Sequence, residues 1–285
     1  MTEVANSEKS PANSSMVAKE IARYLNTGES DSCPLGYADN AIQSMACHKR
    51  LLLQALCAEV KRRARGLPKP FHSKTLNLMP STQYALHRMI AGLFPKAERE
   101  IVRTVVDRSI VFLSADVVYQ AINAVSYLHT AWIIANVYLE SINGKPFAPR
   151  AEVPVGFNEE MICYVSTRHF ETKNPFANYV VHEAAHIFHN CKRKTIRLPC
   201  SKKKEWLLDI DFRKRETFAY ACEFYGCIHY QTKSSKDRRL KLKAIASQLQ
   251  IADARVDQTE LLDILSEAVG KRNGWKIILK RCSPS

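Results

Sequence analysis

The segment from Tyr179 to Phe188, YVVHEAAHIF, constrains the fold more than any other part of this 285-residue chain. Its two histidines, His182 and His186, are four residues apart, so they lie on one face of an α-helix. Apart from Glu183, the segment contains no charged side chain. A helix with such apolar flanks is expected to carry its few polar groups into the protein interior. The sequence therefore predicts a buried helix over Phe176–Asn190.

Residues on both sides of this helix support the prediction. Asn174 and Pro175 form a favourable start, because Asn can cap free amides and Pro in the first turn loses no hydrogen bond. Lys192, Arg193 and Lys194 follow the helix, where positive charge suits the negative end of the helix dipole. The alternative is a buried amphipathic helix whose histidines only satisfy local hydrogen bonds.

Two imidazoles on one helix face can bind a single metal ion. A catalytic zinc site usually has three protein ligands and one position for water. Glu183 stands beside the first histidine, where a carboxylate can take a proton from such a water. We therefore predict His182 and His186 as ligands of one Zn²⁺ ion and Glu183 as the general base.

The third ligand must come from elsewhere, and two glutamates compete for the role. Glu216 begins an apolar, aromatic-rich helical segment, in which a lone carboxylate needs a reason to face inward. Glu205 lies 19 residues after His186, but it follows three lysines, as expected of a charged surface segment. The pattern favours Glu216 over Glu205.

Two further polar residues are predicted to support the ligands. His189 lies on the same helix as both histidines, and three ligands from one straight helix enclose a tetrahedral ion poorly. A role in the pocket or behind a ligand suits it better. Glu223, two turns after Glu216, either hydrogen-bonds a ligand histidine and fixes its tautomer or is a solvated surface residue.

The motif His182-Glu183-x-x-His186, followed about thirty residues later by Glu216 in an alanine- and aromatic-rich run, resembles the gluzincin type of zinc metallopeptidase. It is most similar to the compact cytosolic ImmA/IrrE-like zincins, over Met161 to Tyr225. The resemblance implies peptide-bond hydrolysis by metal-activated water, in which Glu183 accepts a proton and later protonates the leaving amine. Candidate donors to the oxyanion are Arg215, Tyr220, Tyr225 and His229.

Two segments have the composition of β-strands, Ser109–Ser114 and Met161–Ser166. The second lies about ten residues before the HExxH helix. Zincin-like proteases hold an extended substrate against a strand edge near that helix. Met161–Ser166 is therefore predicted to be this edge, and the alternative is a small sheet without a role in substrate binding.

The predicted fold class is α+β, mostly α: a zincin-like core with a small sheet and the HExxH helix, plus additional N- and C-terminal helices. Residues 1–38 are predicted to be a largely disordered lead with one short helix over Met16–Leu25. Residues 39–285 are predicted to form a single zincin-like domain, helical over 39–150 and carrying the metal site over 151–285.

Apolar periodicity, capping residues and Gly or Pro breaks predict the remaining elements. The C-terminal segment Gly274–Lys280 is predicted to be a strand or a docked tail. The predicted helices are Ala38–Arg65, Ser81–Leu93, Pro95–Val106, two within Ala115–Asn143, Phe212–Tyr230, Ser235–Gln250 and Asp257–Val269.

Several features predict a cytoplasmic protein that does not contact a membrane. The first fifteen residues are polar and do not resemble a signal peptide. The apolar run His129–Leu139 is too short to cross a bilayer and contains Asn136. Nine cysteines without regular spacing indicate a reducing compartment. Free thiols are favoured over a second metal site for the four near the motif, Cys191, Cys200, Cys222 and Cys227.

The formal net charge is +14, and residues 191–243 contain 16 Lys or Arg against 6 Asp or Glu. Such a region can bind nucleic acid or an acidic partner, or it can be a solubilising surface. The predicted function is a zinc-dependent metallopeptidase acting on a protein or peptide substrate. The alternative is a non-catalytic nucleic-acid- or protein-binding module that retains a structural zincin-like metal site. The sequence does not indicate an oligomeric state.

Overall fold

The computed structural model describes residues 11–31, 40–68, 80–147, 156–159, 162–166, 178–202, 204–251 and 253–284. These residues are mostly helical and include one small sheet, so the α+β, mostly α, class is confirmed. The strands in these ranges are β1 (Ile110–Leu113), β2 (Gly156–Glu159) and β3 (Ile162–Ser166). The α-helices in these ranges are α1 (Pro11–Thr27), α2 (Ala41–Arg63), α3 (Pro80–Leu93), α4 (Arg99–Ser109), α5 (Val118–Ala124), α6 (Leu128–Ser141), α7 (Tyr179–Asn190), α8 (Arg215–Gln231), α9 (Ser235–Ala246), α10 (Gln258–Val269) and α11 (Gly274–Cys282).

Each predicted helix has a counterpart in this order, with shifted ends. The helix predicted from Pro95 begins at Arg99, after a short 3₁₀ turn over Lys96–Glu98. The short helix predicted within the lead is α1, whereas residues 1–10 and 32–38 lie outside the described ranges.

The sheet has the strand order β1-β3-β2, and β2 and β3 are antiparallel, with Gly156 opposite Val165. Both predicted strands are present, as β1 and β3. The predicted role of Met161–Ser166 as a free edge is wrong, because β3 is the middle strand and pairs on both sides. The neighbouring strand β2, which the sequence did not predict, forms an edge of the described sheet and packs against α7.

The chain divides into two compact units. The first comprises Met1–His72, Leu113–Pro154 and Ser166–Arg168, and the second comprises Ser73–Phe112, Val155–Val165 and His169–Ser285. Helices α3 and α4 therefore belong to the same unit as the HExxH helix, although they precede residue 150. Compactness does not decide how many domains fold independently, so the predicted single domain over 39–285 stays a prediction.

In the first unit, α2 and α6 pack against each other around buried aliphatic side chains. Asn136 is buried within the apolar run of α6, where its amide donates to the Trp132 carbonyl and accepts from the Phe147 amide. These bonds satisfy a polar group that would otherwise destabilise the core. Among the described helices, none has the length and apolar character needed to cross a membrane.

In the second unit, α8 is the central helix and packs against α3, α7, α10 and α11. Of the two alternatives predicted for Gly274–Lys280, the strand is wrong, because the segment forms α11, and this helix docks against α3, α8 and α10. Trp275, Ile278 and Cys282 are buried at helical spacing, and the Trp275 ring meets the Tyr225 ring edge to face. A Cβ atom on Gly274 would come within 2.5 Å of Tyr225, so only glycine permits this approach.

Not every side chain of the basic stretch after α7 lies at the protein surface. Arg193 is 1% exposed, and its guanidinium contacts both carboxylate oxygens of Glu98 at 2.6 and 3.2 Å. Lys192 is exposed and pairs with Glu205. The pair thus ties the segment after the HExxH helix to Glu98. Removing one partner of such a buried, bidentate pair strongly destabilises a protein.

Candidate metal centre

Helix α7 brings the motif residues into the interior of the second unit. It begins at Tyr179, and the Asn178 side chain caps it by accepting from the Val181 amide. The predicted start at Asn174 and Pro175 lies outside the described residues. His182 and Glu183 are 6% and 7% exposed. The apolar flanks of the motif therefore pack into the core, as the sequence predicts.

The side chain of Glu216, in the first turn of α8, meets both motif histidines. Its Oε2 atom lies 3.7 Å from His182 Nε2 and 3.4 Å from His186 Nε2, and the two Nε2 atoms are 3.1 Å apart. Within the described ranges, these three residues form the one group of at least three His, Cys, Asp or Glu whose ligand atoms lie within 4.8 Å of one another.

The dimensions of this triangle suit zinc. Tetrahedral bonds of about 2.1 Å place neighbouring ligand atoms about 3.4 Å apart. The three edges, 3.1, 3.4 and 3.7 Å, bracket that value. Two imidazole nitrogens and one carboxylate oxygen are also a ligand set found in catalytic zinc sites. The residues present therefore fit a zinc ion with three protein ligands.

His182 is oriented by a buried network that joins α3, α7 and α8. Its Nδ1 atom lies 3.2 Å from Glu223 Oε2, while Glu223 Oε1 accepts from the Asn178 amide at 2.6 Å. The Asn178 side chain donates to Thr82 Oγ1 at 3.0 Å. Because a carboxylate only accepts, Nδ1 of His182 carries a proton, which makes Nε2 the ring nitrogen that can bind a metal. Glu223 is 2% exposed, so the solvated alternative for this residue is wrong.

His186 is oriented by its own helix. His189 Nδ1 lies 3.1 Å from Asn190 Oδ1, so it donates there and leaves His189 Nε2 as an acceptor. His186 Nδ1 lies 2.9 Å from that atom and therefore donates to it. Burial lowers the pKa of His189 to about 3, which keeps this ring neutral. The chain of donors leaves Nε2 of His186 with a lone pair towards Glu216.

Three electron-pair donors thus converge on one point, which favours a cation there. Burial lowers the pKa of His182, but hydrogen bonds to Glu216 and Glu223 outweigh it and raise the pKa to about 10. Burial raises the pKa of Glu216, but hydrogen bonds with His182 and His186 outweigh it and lower the pKa. In both cases the carboxylates favour positive charge between the imidazoles, which a metal ion can supply.

Glu183 lies beside this cluster and contacts β3. The Cys163 thiol hydrogen-bonds to its carboxylate. Burial raises the pKa of Glu183, and the nearby His182 and His186 partly oppose this shift. Cys163 thus contacts the carboxylate that is predicted to be the general base. Sequence reasoning missed this residue, because only the pairing of β3 in the sheet brings it to α7.

A second contact that the sequence did not predict lies on the outer side of Glu216. Arg255, in the loop between α9 and α10, places Nη1 2.8 Å from Glu216 Oε1 and also pairs with Asp253. Nothing in the local sequence distinguishes these two residues from an ordinary surface ion pair.

The other predicted site residues occupy different places. Glu205 is half exposed and pairs with Lys192, so the structure brings Glu216 and not Glu205 to the histidines. Tyr220 packs edge to face on His182, with ring centroids 4.6 Å apart. Burial raises the pKa of Tyr220 to about 12. Among the four predicted oxyanion donors, it is the one with a described contact to a motif histidine.

The remaining candidates have other partners. The buried Tyr225 hydroxyl accepts from the Gly274 amide, and His229 Nδ1 lies 3.1 Å from the Tyr84 hydroxyl. The Arg215 guanidinium lies over the Phe212 ring. The four cysteines near the motif are free thiols, and in the described part of the chain none joins a metal-binding group.

Comparisons of the chain with family models, with curated proteins and with solved structures gave no match.

Proposed function

We propose that this protein is a zinc-dependent metallopeptidase with a zincin-like core. In this proposal His182, His186 and Glu216 hold one Zn²⁺ ion, and Glu183 is the general base. The observation that carries it is the triangle of ligand atoms with edges of 3.1, 3.4 and 3.7 Å, formed by two oriented imidazoles and a carboxylate. A helix whose histidines only satisfied local hydrogen bonds would not need a carboxylate from α8 at this distance.

Bound zinc would lower the pKa of a coordinated water and polarise the substrate carbonyl. The proton of this water would then be transferred by a side chain of the protein. Glu183 takes it from the attacking water onto its carboxylate, and after the tetrahedral adduct has formed it passes the proton to the leaving nitrogen. The Cys163 thiol contacts this carboxylate. Tyr220, beside His182, is the best-placed candidate to donate a hydrogen bond to the oxyanion.

The backbone of β2 supports a peptide as the substrate. This strand lies at an edge of the described sheet and packs against α7, so an extended peptide pairing with it would run past the motif. We further propose that the protein acts in the cytoplasm. Exposed lysines of residues 191–243, including Lys192, Lys194 and Lys202, would favour acidic substrates or a nucleic-acid partner.

The decisive experiment compares the wild type with Glu183→Gln. We expect one zinc per chain in both proteins, because Glu183 is not a ligand. Cleavage of a peptide library should fall about 100-fold or more in the variant, since general-base catalysis contributes that much. The readouts are metal content by mass spectrometry and peptide cleavage rates.

His186→Ala is the matched control, because it removes a ligand and should abolish both zinc binding and cleavage. Zinc retained by the wild type without turnover of any peptide would instead favour the non-catalytic binding module. Absence of zinc from the wild type would contradict the metal site itself.

A further inference from the structure

The two oxygens of Glu216 face different surroundings. Oε2 faces the two Nε2 atoms at 3.4 and 3.7 Å, whereas Oε1 contacts Arg255 Nη1 at 2.8 Å. A carboxylate that binds a metal through one oxygen leaves the other free to swing towards the same ion. The contact with Arg255 opposes that swing, because it occupies the second oxygen.

Arg255 is itself fixed in place by Asp253. Its Nε atom donates to Asp253 Oδ1 at 2.9 Å, its Nη2 atom donates to Oδ2 at 2.5 Å, and its backbone amide donates to Oδ1 at 2.9 Å. Such a two-pronged contact sets the plane of the guanidinium. The Nη1 atom is then directed towards Glu216, so the orientation of the guanidinium does not depend on Glu216 alone.

The charges of this arrangement also matter. A lone arginine beside a metal ligand would repel a divalent cation. Here Asp253 offsets the positive charge, so the Arg255–Asp253 pair adds little net charge near the ligands. What remains is the directional effect on Glu216.

We infer that Arg255 is a positioning residue for the third metal ligand, which it fixes in a single-oxygen binding mode from the loop between α9 and α10. This inference rests on the proposed function, since it requires that Glu216 binds zinc. It extends the metal site to a loop outside the two helices that carry His182, His186 and Glu216. Partners of this outer kind change metal affinity about 10–100-fold when they are removed.

The test is the double variant Asp253→Asn with Arg255→Gln. It removes the two-pronged contact between Arg255 and Asp253 without changing the net charge. We expect its zinc affinity, measured by competition with a chromophoric chelator, to be about 10-fold weaker than that of the wild type. Arg255→Lys keeps the charge but cannot form the two-pronged contact with Asp253. Its zinc affinity should therefore lie between those of the wild type and the double variant.

The matched control is Arg62→Ala. Arg62 is as exposed as Arg255, at 68% against 69%, and it also pairs with a carboxylate, that of Glu59, at 2.7 Å. The control should bind zinc like the wild type. Cobalt substitution gives a second readout: visible absorption bands should weaken in the double variant, since a second Glu216 oxygen raises the coordination number. Circular dichroism establishes that each variant is folded.

The outcomes separate the two hypotheses. If the wild type does not bind zinc, the proposed function fails and the inference fails with it. If the wild type binds zinc and the double variant binds it equally or more tightly, only the role of Arg255 is overturned. Weaker zinc binding together with weaker cobalt bands supports it.

Discussion

The two carboxylates of α8 that reach the histidines are supported in opposite ways. Glu223 is 2% exposed and bonds to His182 and to the Asn178 backbone, all within the core. Glu216 has 17% side-chain exposure, and its outer partner Arg255 is 69% exposed. A buried network is little affected by salt, whereas an exposed ion pair is screened by it. We therefore expect the inner side of the site to be insensitive to salt and the outer side to be sensitive to it.

The largest effect is expected from Glu223→Ala on the inner side. The substitution leaves the buried His182 Nδ1–H and the Asn178 amide without their acceptor. We expect a loss of about 3 kcal/mol in the free energy of unfolding of the metal-free protein. Zinc affinity should fall about 10–100-fold. Urea unfolding and chelator competition measure the two effects.

Glu223→Gln is the matched control for this change. Its amide oxygen can still accept from the Asn178 amide, so most of the stability should return while zinc affinity remains reduced. Equal zinc affinity in the wild type and the alanine variant would show that the buried carboxylate does not orient His182.

An intermediate effect is expected from His189→Leu, which removes the acceptor for His186 Nδ1–H. The His186 ring then loses the contact that fixes its tautomer. We expect zinc affinity to fall about 10-fold, as measured by chelator competition. His189→Gln restores an acceptor of similar reach and should recover part of the loss. An unchanged affinity in the leucine variant would show that the helix backbone alone orients His186.

The smallest predicted effect is a difference in the salt dependence of zinc affinity between the inner and outer sides of the site. Raising sodium nitrate from about 0.1 to 1 M shortens the screening length from about 10 to about 3 Å. The difference in zinc affinity between the wild type and the Asp253→Asn, Arg255→Gln double variant should shrink a few-fold. The difference between the wild type and Glu223→Ala should stay constant, because that network is buried. The same salt dependence for both would remove the distinction between a buried side that is insensitive to salt and an exposed side that is sensitive to it.

Some parts of this site could be predicted without a structure. The four-residue spacing of His182 and His186 sets their common face on any helix, and the apolar flanks indicate that this face is buried. The preference for Glu216 followed from the unusual place of a carboxylate in an apolar helix. For Glu223, two interpretations remained open, because a residue two turns along a helix can face the core or the solvent.

Other parts lay beyond the sequence. Cys163 of β3 contacts Glu183 of α7, and β3 is the middle strand of the sheet, although the sequence predicts a free edge for this segment. Gly274–Lys280 has a short apolar run that suits a strand, yet it forms a helix, and its Trp275 ring packs on Tyr225. Arg193 belongs to a basic run that resembles a surface, but Glu98 pairs with it in the interior.

By itself, the sequence determined the HExxH helix, its buried face and the pair of imidazoles, since hydrophobic periodicity and the helical repeat are local properties of the chain. The sequence favoured Glu216 as the third member, but only the tertiary structure decided which residues orient His182, His186 and Glu216. Those contacts join groups that are tens of residues apart, from His182 with Glu223 to Glu216 with Arg255. Their distances depend on how α7, α8 and the loop after α9 pack, and no local pattern encodes that packing.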